Sequence, residues 1–251
     1  MCCFSGPVEA VTGTQIFARM AAPGRQVLIY ALQLDTRSDV AMILPLPTPA
    51  RCPDDAVRFV ALDGYPDLFA DVARAFPVSG GVRGEEEQWL SLPLEVVEVG
   101  AFVASFVPGL GDFGRLDARF RLPAGTLDRV PGYADWGFAV FQLKAGAAGL
   151  AQVHPMAFEF PTRRADALFF PTVHIHDGTL HAEADFAHTL YGQGVATQRP
   201  SHWSSSGLAL GRSCDAERAR GLIDPGAPVE VRALHGRQPN QDVWAALVKA
   251  G

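Results

Sequence analysis

No stretch of this chain approaches the ~20 consecutive apolar residues that a helix needs to span a bilayer. The best candidate, Ala101 to Val107, is strand-sized. Basic charge is scarce as well: 21 Lys plus Arg stand against 27 Asp plus Glu, a formal charge of -6. No Lys/Arg cluster gathers on a predicted face, so neither nucleic acid nor a membrane is an expected partner. A secretory signal would need a basic start and an apolar run of roughly seven or more residues. Here the first basic residue is Arg19, and Gly6, Pro7 and Glu9 interrupt the opening, so the expected location is cytoplasmic. No GxGxxG or GxxxxGK[ST] follows a predicted strand, and no GxSxG elbow occurs, which disfavours nucleotide-binding and serine-hydrolase readings. Cysteine is limited to four residues. The adjacent pair Cys2 and Cys3 gives no disulfide framework, so all four are expected to be thiols or ligands.

What is present is enough for a core without metal or disulfide support: 251 residues, 48% hydrophobic and 10% aromatic,. The 25 Gly and 19 Pro argue for turns and short strands over long helices. Thr14 to Arg19 and Gln26 to Leu34 read as strands, and Met42 to Leu46 as an edge strand because its prolines cannot donate to a ladder. Helical spacing of Leu68, Phe69, Val72 and Phe76 predicts a helix between Pro66 and Pro77. Further strands are expected at 94–99, 101–107, 136–144, 153–160, 168–176 and 179–186, and short helices at 125–129, 215–223 and 241–248. The resulting fold class is α+β, predominantly antiparallel β, with two related β lobes and peripheral short helices. The chain reads as one compact unit, with lobes 1–85 and 86–251 meeting near the polar stretch Gly80 to Glu87.

Four of the seven histidines fall between Phe169 and Gln193. Asp177-Gly178 between two β-like runs is a strong two-residue hairpin signal, because both central residues take positive φ. That turn would set His174 opposite His181. Alternation then places His174, His176, His181 and Glu183 on one face, with Cβ atoms of cross-strand neighbours about 5 Å apart. Asp185 shares the face as a carboxylate able to orient an imidazole. His188 falls on the opposite face and is the weaker ligand candidate. Three imidazoles suit Zn, Fe, Cu or Ni better than Mg or Ca. The alternative is a solvated, hydrogen-bonded polar face. The HxH with a third ligand downstream is similar to the first cupin motif, with His181 where cupins carry glutamate and Leu168 where they carry glycine.

Cys2 is small enough to permit removal of Met1, which would set a free amine beside a thiol, the minimum equipment of an N-terminal nucleophile hydrolase. Asn240 is a candidate oxyanion donor for that chemistry. Thiolates are also soft metal ligands, so Cys2 or Cys3 would complete the histidine site if the amino terminus folds back across it. Cys52 and Cys214 read as isolated structural thiols.

The opening CCFSGPVEAVTGTQIFAR, the segment QVLIYALQL, the AMILPLP stretch and the later HPMAFEFP together resemble an uncharacterised bacterial family. Its members have a cysteine-rich mature amino terminus and a strand ending in a Leu-Pro-Leu-Pro-like sequence. The resemblance implies a two-lobed, β-rich fold with Cys2 at the place of the terminal cysteine, and no established reaction. Three functions are therefore expected in turn. The first is a transition-metal-binding soluble protein on the histidine hairpin, enzymatic (hydrolytic or oxygen-using) if a coordination position stays open. The second is an N-terminal-cysteine hydrolase of amide bonds acting on a small-molecule or peptide substrate. The third is a non-enzymatic metal-handling or interaction protein.

Overall fold

Apolar runs that do not alternate belong to strands buried on both faces, and three such runs lay down the frame. In the computed structural model they are β2 (Ala10–Ala22), β3 (Arg25–Asp35) and β4 (Val40–Leu46). The structure describes residues 2–77, 103–116, 118, 121, 131–144, 151–175, 179–198 and 202–248. Within them lie β1 (Cys2–Phe4), β5 (Arg58–Ala61), α1 (Leu68–Ala73), β6 (Val103–Val107), β7 (Gly137–Leu143), β8 (Ala151–Pro161) and β9 (Ala167–Phe170). Then come β10 (His174–Ile175), β11 (Glu183–Gly192), β12 (Ser204–Ser205), β13 (Glu230–Pro239) and β14 (Val243–Ala246).

A five-stranded sheet runs β10-β1-β4-β7-β6 and a seven-stranded sheet runs β12-β13-β11-β2-β3-β8-β5, with β14 and β9 paired separately. Both large sheets are mixed: β1 with β10 and β2 with β11 are parallel, and the other pairs are antiparallel. Each sheet takes strands from both sides of the expected 85/86 boundary.

Between the sheets, Phe4, Met42, Leu44 and Phe141 of one meet Ile16, Tyr30, Phe158 and Leu190 of the other. The far face of the seven-stranded sheet packs Phe17, Val27 and Ile29 against Leu68, Phe69 and Val72 of α1. The far face of the five-stranded sheet carries Ala41, Ile43 and Val140 with Cys3. A central strand thus has no solvent face, and each large side chain so buried contributes roughly 1.5–3 kcal/mol.

The α+β expectation is corrected to a mainly-β fold. Among the described residues the only α-helix is α1, of six residues, beside a few 3-10 turns. The 241–248 segment forms β14 instead of a helix, because it pairs with β9 and sets Trp244 opposite Phe169. The 215–223 segment is a set of turns, since Arg220 and Gly221 take φ of 51° and 75°, which a helix does not admit. β4 is central in its sheet, not an edge. Its prolines are tolerated because β1 pairs only with Met42 and Ile43, leaving the flank of Pro45 without a strand. The expected segments 80–87, 94–99 and 125–129 lie outside the described residues. No helix among the described residues is long and apolar enough to cross a membrane.

Candidate histidine site

Residues 168–176, read as one strand, divide between two sheets. The Asp242 carboxylate accepts the Thr172 and Val173 N–H groups at 2.8 and 3.0 Å, and the Thr172 hydroxyl donates to the Gln241 carbonyl at 2.8 Å. These bonds replace the ladder and turn the chain out of β9 toward β10. The Tyr133 hydroxyl donates to the same carboxylate. Burial first, and then the charge of Asp242, raise Tyr133 well above the ordinary phenol value, so it stays a neutral donor.

The first residue of β10 is His174, and Asn240 fixes its backbone from both sides. The His174 N–H donates to Asn240 Oδ1 at 2.7 Å, while Asn240 Nδ2 donates to the carbonyls of His174 and His181 at 2.9 and 3.0 Å. The Asn240 N–H donates to the Ala182 carbonyl at 2.9 Å. One side chain therefore pinches the base of the 174–181 segment. Because both Nδ2 hydrogens bond backbone carbonyls, Asn240 is not an oxyanion donor, which corrects the sequence expectation.

β11 alternates from its first residue: Glu183, Asp185 and Ala187 are exposed, whereas Phe186, His188 and Leu190 are buried. His188 is 2% exposed and meets His174 with Nε2 atoms 3.2 Å apart. The two rings lie 4.8 Å apart at 36°, and the Phe186 ring stands 4.6 Å from His174 and 5.3 Å from His188. The imidazole pair thus joins the edge of one sheet to the interior of the other.

A fork between β2 and β11 opens this pair to its surroundings. The two strands pair only over Thr14–Ala18 with His188–Gly192. Before that, Gly13 takes φ of 58° at a register shift between Thr12 and Gln15, a bulge of the kind that re-aims side chains. A cavity of about 420 Å³ sits in the fork, lined by Thr12 and Thr14 on one side and by His174, Asp185 and His188 on the other.

The sequence-derived ligand set is partly reassembled. No strand pairing joins 174 to 181 among the described residues; His174 pairs instead with Cys2, in parallel. The expected fold-back of the amino terminus onto the histidine segment is therefore present at the backbone level. His181 and Glu183 line the cavity, but both are exposed and Glu183 bonds Arg237 at 2.8 Å. His176 and the Asp177-Gly178 turn lie outside the described residues. Cys3 is 1% exposed, within the separate cluster of Ile43, Val140 and Ile175, so it does not join the imidazoles. Burial raises the Cys214 thiol to about 11, in keeping with a structural thiol. Among the described residues no three His, Cys, Asp or Glu side chains form a group that could hold an ion. Sequence reasoning missed the bulge and the Asn240 clamp, and Gly13 inside a strand pattern was the signal for the first.

No protein-family model and no curated protein matches the chain. The crystal structure of baculovirus P35 aligns with it at a TM-score of 0.52 and 13% identity, over 97% of this chain and 98% of that one. A mutated baculovirus P35 after caspase cleavage aligns at 0.47 and 12%, over 94% and 100%. The caspase-8/P35 complex aligns at 0.45 and 11%, over 95% and 97%. On the first of these comparisons, the chain shares from end to end the fold of baculovirus P35.

Proposed function

We propose that this chain is a non-enzymatic interaction protein whose partner is a cysteine peptidase of the caspase kind. The observation that carries the reading is the fold correspondence with baculovirus P35, with a TM-score of 0.52 over nearly the whole of both chains. The step from fold to partner is an analogy: P35 is the protein found in complex with caspase-8. On this reading the partner is a protein and not a small molecule.

Mixing the purified chain with caspase-8 and related cysteine peptidases tests it, with peptide hydrolysis and co-elution on gel filtration as readouts. Loss of peptidase activity with a co-eluting complex is expected. Full activity and separate elution with every peptidase would remove the reading.

The pairing of Cys2 with His174 favours a second reading, the N-terminal-cysteine hydrolase. It requires Met1 to be absent by mass spectrometry and amide hydrolysis to vanish in Cys2→Ala. Retained Met1 ends it.

A further inference from the structure

We propose that His174 and His188 are paired ligands of one transition-metal ion, completed by the thiolate of Cys2. Two donors on a tetrahedral centre with bonds of about 2.05 Å lie roughly 3.3 Å apart. The two Nε2 atoms already stand at 3.2 Å. Both imidazoles are held by independent elements, His174 through the three backbone bonds of Asn240 and His188 by its place in the paired part of β11. The site is therefore built before an ion arrives, which lowers the ordering cost of binding.

The third donor follows from strand register. Cys2 is the backbone partner of His174 in the parallel β1–β10 pair, one strand spacing of about 4.8 Å away. An imidazole-thiolate set selects Zn, Co or Cu(I) over Mg or Ca, which take oxygen shells. The cavity in the β2–β11 fork supplies an entry path, and Asp185 on its wall favours approach of a cation,. This set differs from the sequence-derived one: His188 replaces His181, because Phe186, His188 and Leu190 share the inward face. The site does not rest on the peptidase reading and stands or falls apart from it.

The test is titration of the untagged, full-length chain with Co²⁺, followed in the visible spectrum and displaced with Zn²⁺. One equivalent should bind and show a thiolate-to-cobalt band. His174→Ala and His188→Gln should each weaken binding by about tenfold or more, whereas His181→Ala should stay within about twofold. Cys2→Ser should abolish the thiolate band. No saturable binding, or unchanged affinity in both histidine variants, overturns the proposal. A thiolate band that persists in Cys2→Ser overturns the three-donor site. Thermal unfolding of each variant controls for fold; if the buried His188→Gln does not fold, the partly buried His174→Ala decides.

Discussion

Gln26 and the His174–His188 pair are both polar groups set among apolar side chains, and they are completed differently. The Gln26 amide is 0% exposed and closes on a single backbone unit: Nε2 donates to the Phe169 carbonyl at 2.7 Å, and the Phe169 N–H donates to Oε1 at 2.9 Å. Around it the packing is dry, with Phe169 against Trp136 and Trp244. The imidazoles instead meet at 3.2 Å beside a cavity of about 420 Å³. A polar group whose bonds all end on backbone in a closed core acts as a pin. One that faces a cavity keeps an edge for a ligand.

The pin should give the largest effect when broken. Gln26→Leu leaves the buried Phe169 N–H and carbonyl unsatisfied and should cost about 2–4 kcal/mol in denaturant unfolding. Cobalt binding by the folded variant should be unchanged; parallel loss of both would show that pin and site are one unit. Asn240→Ala comes next, removing three side-chain bonds from the 174–181 base, with an expected cost of about 2 kcal/mol. Unlike Gln26→Leu it should also weaken cobalt binding, since His174 loses its backbone support. Intact binding would break the distinction drawn between the two regions.

Glu159 extends the comparison to charge. Burial pushes its carboxyl up, but bonds from Arg58 and Arg25, both at 2.7 Å, prevail and hold it below the ordinary value. A carboxyl depressed in the folded state stabilises above the unfolded pKa of about 4.3 and loses that contribution as pH falls through its folded value. Glu159→Gln should therefore cost about 1 kcal/mol at neutral pH, a figure limited by the exposure of both arginines, and the difference should close in acid. A pH-independent difference would assign the effect to packing. The smallest effect is expected at the bulge: Gly13→Ala at φ of 58° should cost about 1 kcal/mol or less. Its cobalt affinity reads whether the fork's shape matters to the site.

Much of the β frame was legible in the chain. The runs within β2, β3, β7 and β8 are long and rich in branched and aromatic residues, and α1 announces itself by 3.6-residue spacing and flanking prolines. The 241–248 segment misled because Val243, Trp244 and Leu247 fit a helical face, yet Val243–Ala246 found a strand partner in β9. Whether a short apolar segment becomes helix or strand depends on that distant partner. The histidine segment misled for the same reason. A two-residue turn signal describes local geometry, but β1 takes the pairing at His174 that the hairpin would have given to His181.

By itself the sequence determined that this chain folds around long apolar strands, that its histidines cluster between Phe169 and Gln193, and that β11 alternates so that His188 and Glu183 face opposite ways. These are properties of composition and of the two-residue period of a strand. Only the tertiary structure decided which face of β11 meets His174, where Cys2 lies, and that a bulge at Gly13 opens a fork beside the imidazoles. Period two fixes which residues share a face but leaves open what that face meets. That choice is made by packing two sheets whose strands come from distant parts of the chain.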